Sequence, residues 1–117
     1  MAARLNPCIG ANVNIILYIR KDAMKFTWDE NKNRINKRKH GVSFETAKLV
    51  FDDPRHVSVL DDFERGEERW RTLGLVGSVV VLLVVHTHLE RDGEEMIRII
   101  SARKATKYER TIYEEGQ

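Results

Sequence analysis

Two runs of cationic side chains carry the chemistry this sequence could do. Lys37, Arg38, Lys39 and His40 close a stretch that opens with Lys32 and Arg34 and holds no acid. Arg98, Arg103, Lys104, Lys107 and Arg110 form a second stretch, interrupted only by Glu109. Between them lie Glu68, Arg69 and Arg71, and His86 ends the longest apolar run. A guanidinium donates two parallel hydrogen bonds to a phosphate and keeps its charge at any working pH. An imidazole titrates near neutrality and can move protons there. Two basic clusters brought together by a fold would hold a polyanion, because neutralising phosphates dominates nucleic-acid affinity. The competing reading of each cluster is a solvated helix face.

Composition sets the frame for these residues. A chain of 117 residues with 42% hydrophobic side chains supports one globular core. The net charge of +2 is small, but its signs are segregated, with acids collected at Asp61–Glu68 and Glu90–Glu95. Cys8 is alone, which excludes an internal disulfide framework and a thiolate zinc cluster and suits a reducing, intracellular setting. Glycine-rich phosphate loops, Gly-x-Ser-x-Gly elbows and paired-cysteine motifs are absent, against nucleotide hydrolases, serine hydrolases and zinc fingers. His86 and His88 are two apart on one strand face, but no third ligand of suitable spacing follows, so no metal and no cofactor are expected. Residues 1–24 stand apart. Their apolar run Ile15-Ile16-Leu17-Tyr18-Ile19 is too short to span a bilayer. They are read as an N-terminal extension outside the native domain, with Met24 as the natural start and 25–117 as the domain.

The elements that must position the cations follow from periodicity. Lys25–Trp28 alternates as a short first strand. Asp29 caps a helix running to about Lys39, and Gly41 supplies its left-handed end. Ile35 is nearly the only strong apolar residue of that helix, so it lies shallowly on the domain. Ser43 caps a second helix whose Phe44, Ala47, Val50 and Phe51 face the core, and Asp52-Asp53-Pro54 stops it. From His56 the period becomes two: Val57–Leu60, then Glu68–Leu75, then Val79–Val85 as a central strand buried on both faces. Asp92-Gly93 turns the chain into a last strand, Met96–Ser101, and Thr106 caps a final helix over Lys107–Glu115. The order predicts an α+β layout: an antiparallel β-sheet with helices packed on one face, two of them N-terminal, and one C-terminal helix.

Three strings in this sequence resemble the signature of the BrnT toxins, the RNA-cleaving halves of bacterial type II toxin–antitoxin pairs. They are Lys39-His40-Gly41-Val42-Ser43-Phe44-Glu45, Phe51-Asp52-Asp53-Pro54, and Ile97-Arg98-Ile99-Ile100-Ser101-Ala102-Arg103-Lys104-Ala105-Thr106. The resemblance runs from about Lys25 to Glu115. It implies a RelE-like fold with RNA bound across the open face of the sheet, and a metal-independent endoribonuclease. It also implies a BrnA-like antitoxin as partner, in a heterotetramer that binds operon DNA through the antitoxin. A cytoplasmic location with no membrane contact goes with it.

Cleaving RNA without a metal requires a proton to leave the 2′-hydroxyl, charge on the phosphorane-like transition state to be stabilised, and the leaving oxygen to be protonated. In that light Lys39 is a phosphate contact, and His40 is either a general base or a helix cap. Arg69 is a transition-state or phosphate ligand, while Glu68 is either a base or Arg69's orienting partner; an ordinary ion pair is the bland reading. In a strand Ile97 and Ile99 share a face and Arg98 points to the other, so Arg98 reaches the open face if the isoleucines face the helices. Arg103 joins it as a catalytic candidate, and His86 is a proton-transfer candidate or a hydrogen-bonded strand end. Lys37, Arg38, Arg71 and Lys104 are RNA contacts, and Tyr108 either stacks on a base or belongs to the core stripe of the last helix. Trp28 and Trp70 are core aromatics. The alternative function is a non-catalytic RelE-like binding module that serves the antitoxin as corepressor, motivated by the lack of one unambiguous base. Direct DNA binding by this chain alone has less support, since no helix–turn–helix pattern is present.

Overall fold

A computed structural model describes residues 24–64 and 67–116, so the expected extension lies, apart from Met24, outside the described residues. The chain runs β1 (Met24–Thr27), α1 (Glu30–His40), α2 (Phe44–Ala47), a 3-10 turn (Lys48–Asp52), β2 (Val57–Glu64), β3 (Glu67–Val76), β4 (Val80–Arg91), β5 (Glu94–Lys104) and α3 (Lys107–Glu115).

The ends of the helices are set by the side chains that sit there. Asp29 accepts hydrogen bonds from the Asn31 and Lys32 amides, satisfying donors that the first turn leaves orphaned. Gly41 closes α1 at φ 75°, a left-handed conformation that glycine takes without steric cost, and its amide returns to the Lys37 carbonyl. Ser43 caps α2 through Thr46. Thr106 and Glu109 form a reciprocal capping box at α3.

The sheet has the strand order β1-β5-β4-β3-β2. Strands β2 to β5 form an antiparallel meander, as their hairpin connections require, with Asp92 and Gly93 both at positive φ in the β4–β5 turn. β1 departs from the antiparallel expectation: it adds to β5 in parallel, Phe26 beside Ile97 and Thr27 beside Arg98. It enters the sheet before all the other strands and reaches its partner only through the rest of the chain, the long crossover that a parallel pair needs.

The helices also divide between the faces. One core joins Val42, Phe44, Ala47, Val50 and Phe51 of the α1–α2 layer to Leu82, Val84, Ile97, Ile99 and Ala102. The second lies on the reverse face, where Leu73, Val81 and Leu83 meet Ala105 and Tyr113 of the α3 segment. The expectation of helices on one face therefore holds for α1 and α2 and is corrected for α3. The reason is the unbroken apolar run of β4. Val81 and Leu83 alternate with Leu82 and Val84, so both sides of that strand end demand cover. α3 covers that end of its face only, and the rest of the face stays open among the described residues.

Candidate nucleic-acid interface

Strand register decides which cations can act together. Arg98 of β5 stands beside Thr87 of β4, which stands beside Arg69 of β3. One row along, Ser101 pairs with Val85 and Val85 with Arg71. A further row holds Arg103, Leu83 and Leu73. Laterally paired residues project to the same side of a sheet, and Leu73 and Leu83 belong to the core beneath α3. Arg69, Arg71, Arg98, Ser101 and Arg103 therefore occupy the face that α3 only partly covers. From Arg98 to Arg103 this strip is two residue pairs long, roughly 13 Å, and from Arg98 to Arg69 two strands wide, roughly 10 Å.

That convergence depends on a bulge. Arg98 and Arg103 are an odd number of positions apart, which in a regular strand would send them to opposite faces. β5 pairs Ile99 with His86 and Ser101 with Val85, leaving Ile100 without a counterpart. The extra residue reverses the phase of the strand. Ile97 and Ile99 before it, and Ala102 after it, all enter the same core. Arg98 and Arg103 are brought together on the other side.

The arginines are held by carboxylates. Arg71 Nε lies 3.0 Å from Asp61 Oδ1, and Arg98 Nη2 donates to Glu67 Oε1 at 3.1 Å. Arg103 reaches both oxygens of Glu109, at 2.8 and 2.9 Å, a bidentate clip between β5 and α3. The Glu109 carboxyl is held below the usual carboxylate range first by this guanidinium, against the opposing effect of burial. The Arg71 and Arg98 pairs are more exposed than the Arg103–Glu109 clip, so they are weak in water and screened by salt. A phosphate can therefore replace Asp61 and Glu67 at small cost. Asp61 and Glu67 account in part for the acids of the Asp61–Glu68 stretch: they sit on the cationic face as its counter-charges.

Lys39 and His40 lie at the β5 edge of the sheet, on the side of the α1–α2 layer and not on the arginine face itself. β1 ends beside Arg98, and α1 continues along the same β5 edge until Asn36 meets the backbone of Ala102. From Asn36 to His40 the helix rises about 6 Å, and from Ala102 to Lys104 the strand advances about the same length. The last turn of α1, with Lys37, Arg38, Lys39 and His40, thus draws level with Lys104. Lys37, Arg38, Lys39 and Lys104 are exposed and His40 is half-buried. Tyr108 is 75% exposed at the start of α3, so it stands outside the core stripe, which is made by Ile112 and Tyr113.

Three candidates project to the other side of the sheet: Lys104, whose lateral partner Leu82 belongs to the core beneath α1 and α2, and with it Glu68 and His86. Glu68 projects to the α1–α2 side of the sheet, opposite its neighbour Arg69, and accepts a hydrogen bond from Trp70 Nε1 at 3.2 Å. His86 is 3% exposed in the core, edge-on to Phe51, with Nε2 2.7 Å from Thr72 Oγ1 and Nδ1 3.1 Å from the Thr87 carbonyl. Burial pushes its pKa down to about 4, and it is neutral at physiological pH. None of the three lies on the arginine face. Glu67, the carboxylate that does, was not singled out by the sequence, because Glu67 and Glu68 are told apart only by strand phase. His88 shares a face with His86 but is engaged with Glu95 at 2.7 Å, and no group of three or more metal-binding side chains occurs among the described residues.

The arrangement is a strip of forked cations on a flat, open sheet face, bordered by an ammonium-rich helix end and an exposed tyrosine. It can hold several consecutive phosphates and place guanidinium groups on a charge developing at one of them.

Comparison with known proteins identifies the family and the fold. Residues 28–109 match the family described as ribonuclease toxin, BrnT, of type II toxin-antitoxin system. No curated protein matches the sequence. Among solved structures, the 1.1 Å crystal structure of the Brucella abortus ribonuclease toxin BrnT is similar in fold, with a TM-score of 0.55 and 22% identity over 72% of this chain and 99% of that one.

Proposed function

This chain belongs to the BrnT family of type II toxin–antitoxin ribonuclease toxins, and we propose that it cleaves RNA without a metal on the arginine face of its sheet. An RNA substrate and an antitoxin partner follow from the family. The site, the mechanism and the form of the complex are our reading. The observation that carries it is the gathering of Arg69, Arg71, Arg98 and Arg103 on one open face, which the bulge at Ile100 makes possible.

RNA lies across this face with its phosphates on the guanidinium forks. Arg69 and Arg98, two strands apart around Thr87, clasp the scissile phosphate and stabilise the charge that grows on its oxygens as the 2′-oxygen attacks phosphorus. Glu67, beside Arg98, is the carboxylate positioned to accept the 2′-hydroxyl proton. Arg71, Arg103, Lys104, Lys37, Arg38 and Lys39 carry the flanking phosphates, and Tyr108 offers a ring for an unstacked base. As the 2′-oxygen adds, the bond from phosphorus to the 5′-oxygen breaks, leaving a 2′,3′-cyclic phosphate, and water at this open face protonates the departing oxygen. His40, at the end of the basic helix, faces a flanking phosphate.

The antitoxin is of the BrnA type. It covers the same face and forms a heterotetramer that binds operon DNA through its own domain. Among the described residues no helix is long and apolar enough to cross a membrane, and the site of action is the cytoplasm. Residues 25–117 make up the toxin domain, and mass spectrometry of protein from the native locus should find a mature N-terminus near Met24.

Inducing the chain without its antitoxin tests the reading. Growth should stop and cellular RNA should fragment, and Arg69→Ala or Arg98→Ala should prevent both. Arrest that survives both substitutions contradicts the assigned site. Normal growth with intact RNA would leave a non-catalytic corepressor in its place.

A further inference from the structure

α1 is joined to the domain in an unusual way. Its buried residues are Asn33 and Asn36, and its one strong apolar residue, Ile35, is 53% exposed. An amphipathic helix normally keeps its place through an apolar stripe. Here two carboxamides do so.

Asn36 has the more informative environment. β1 pairs with β5 only as far as Arg98, so the β5 edge beyond it presents backbone groups that need partners. Asn36 meets that need at Ala102. Its Nδ2 donates to the Ala102 carbonyl at 2.8 Å, and its Oδ1 accepts from the Ala102 amide at 3.2 Å. One donor and one acceptor side by side are what a neighbouring strand would offer at that position. Nδ2 also donates to the Val42 carbonyl at 2.9 Å, tying in the chain that leaves the helix. The carboxamide is buried, at 7% exposure, where each of these bonds is protected from water. Asn36 also lies one turn before His40, so Lys39 and His40 sit on the next turn of the same stripe.

We propose that Asn36 is the positioning residue of the RNA site: its carboxamide replaces the missing continuation of β1 and fixes the basic last turn of α1 at the β5 edge, level with Lys104 and across the strand from Arg103. That this turn touches RNA rests on the function proposed above. Asn36 itself contacts no substrate. It acts through the distance between the helix cations and the strand arginines. Loss of the carboxamide leaves α1 capped by Asp29 and Gly41 and tied to the start of α2 through Asn33, but its last turn loses its hold on the β5 edge.

The test uses the full chain and a fluorescent single-stranded RNA oligonucleotide under single-turnover conditions, with Asn36→Ala, Asn36→Asp, Lys39→Ala, Arg103→Ala and the Asn36→Ala/Lys39→Ala double variant. Asn36→Asp keeps the acceptor for the Ala102 amide and loses both donated bonds, so it serves if the alanine variant does not fold. Melting curves set a temperature at which every variant compared is native. At saturating RNA, Asn36→Ala should cleave about tenfold to a hundredfold more slowly. The double variant should be no slower than the worse of its two single variants, because Asn36 works through the same turn. Native Asn36 variants that cleave at the wild-type rate while Lys39→Ala and Arg103→Ala are impaired would overturn the positioning role alone. Wild-type rates for Lys39→Ala and Arg103→Ala would overturn the part assigned to the α1 turn, and the positioning role with it, while loss of cleavage in Arg69→Ala and Arg98→Ala would still stand for the site.

Discussion

Arg98 and Arg69 flank Thr87 on neighbouring strands, and Glu67 closes the group through its 3.1 Å bond to Arg98. A phosphate between the two guanidiniums would receive donors from both sides, a geometry that one ammonium cannot copy. Arg98→Lys keeps the charge but loses the fork. It should bind RNA nearly as well as wild type yet cleave more slowly, while Arg98→Ala should slow cleavage by about a hundredfold or more. Single-turnover rates set against binding isotherms separate the two effects. His86 makes the opposite prediction. Because burial lowers its pKa from 6.5 to about 4, the unfolded chain binds a proton in that window and the folded chain does not. Stability is therefore fully present above pH 6.5 and falls as the pH drops to about 4, by about 3 kcal/mol from this residue. Denaturant titrations across this range should show His86→Asn losing much of the acid sensitivity while retaining cleavage at pH 7. Loss of cleavage by a variant that is native at pH 7 would return His86 to the mechanism.

At the scale of elements, the arginine face exists because the sheet is pinned from both sides. Gly74 of β3 lets the 3-10 turn approach closely: a Cβ there would lie 2.6 Å from Val50 Cβ and 2.8 Å from the Val50 carbonyl oxygen. Gly74→Ala should cost about 1–3 kcal/mol in thermal or denaturant unfolding, since backbone rather than a flexible chain end blocks it. Asp53 fastens the other side, accepting from the Leu75 amide at 2.8 Å and from the Tyr113 hydroxyl at 2.6 Å. Burial pushes the Asp53 carboxyl up, but these bonds and the Arg55 amide outweigh it, so its pKa ends below the usual carboxylate value. Tyr113→Phe should loosen α3, destabilising the chain by about 1–2 kcal/mol and raising amide exchange in Lys107–Glu115.

Much of this layer was legible in the sequence, because caps, turns and runs are local. Asp29, Gly41, Ser43, Asp92-Gly93 and Thr106 each mark an end that the structure reproduces. The unbroken apolar run of β4 announced a strand covered on both sides. What the sequence hid was phase and topology. Nothing local says that Ile100 is a bulge, that Glu67 rather than Glu68 shares Arg69's face, or that β1 joins β5 in parallel. Asn33 and Asn36 look like solvated helix residues until the strand edge they meet is known. His86 resembles a reactive strand end, and only the packing of Phe51 against it shows that it is enclosed.

For the whole molecule, a net charge of +2 conceals a segregation of signs, with basic runs at Lys32–Lys39 and Arg98–Arg110. The sheet arginines carry their own counter-ions, and RNA must displace carboxylates as well as salt. Binding to single-stranded RNA should weaken with salt at a log–log slope of about −0.7 per phosphate contact, and removing Lys39, Arg71 or Lys104 should each flatten it by about 0.7. The most direct measurement is cleavage of a defined RNA oligonucleotide by the purified chain in excess EDTA, with Arg69→Ala, Arg98→Ala and Arg103→Ala in parallel. Full activity in the chelator, lost in all three natively folded variants, is the predicted result. Activity that vanishes in EDTA and returns with a divalent cation, or that all three variants retain, would contradict a metal-independent nuclease built on this face.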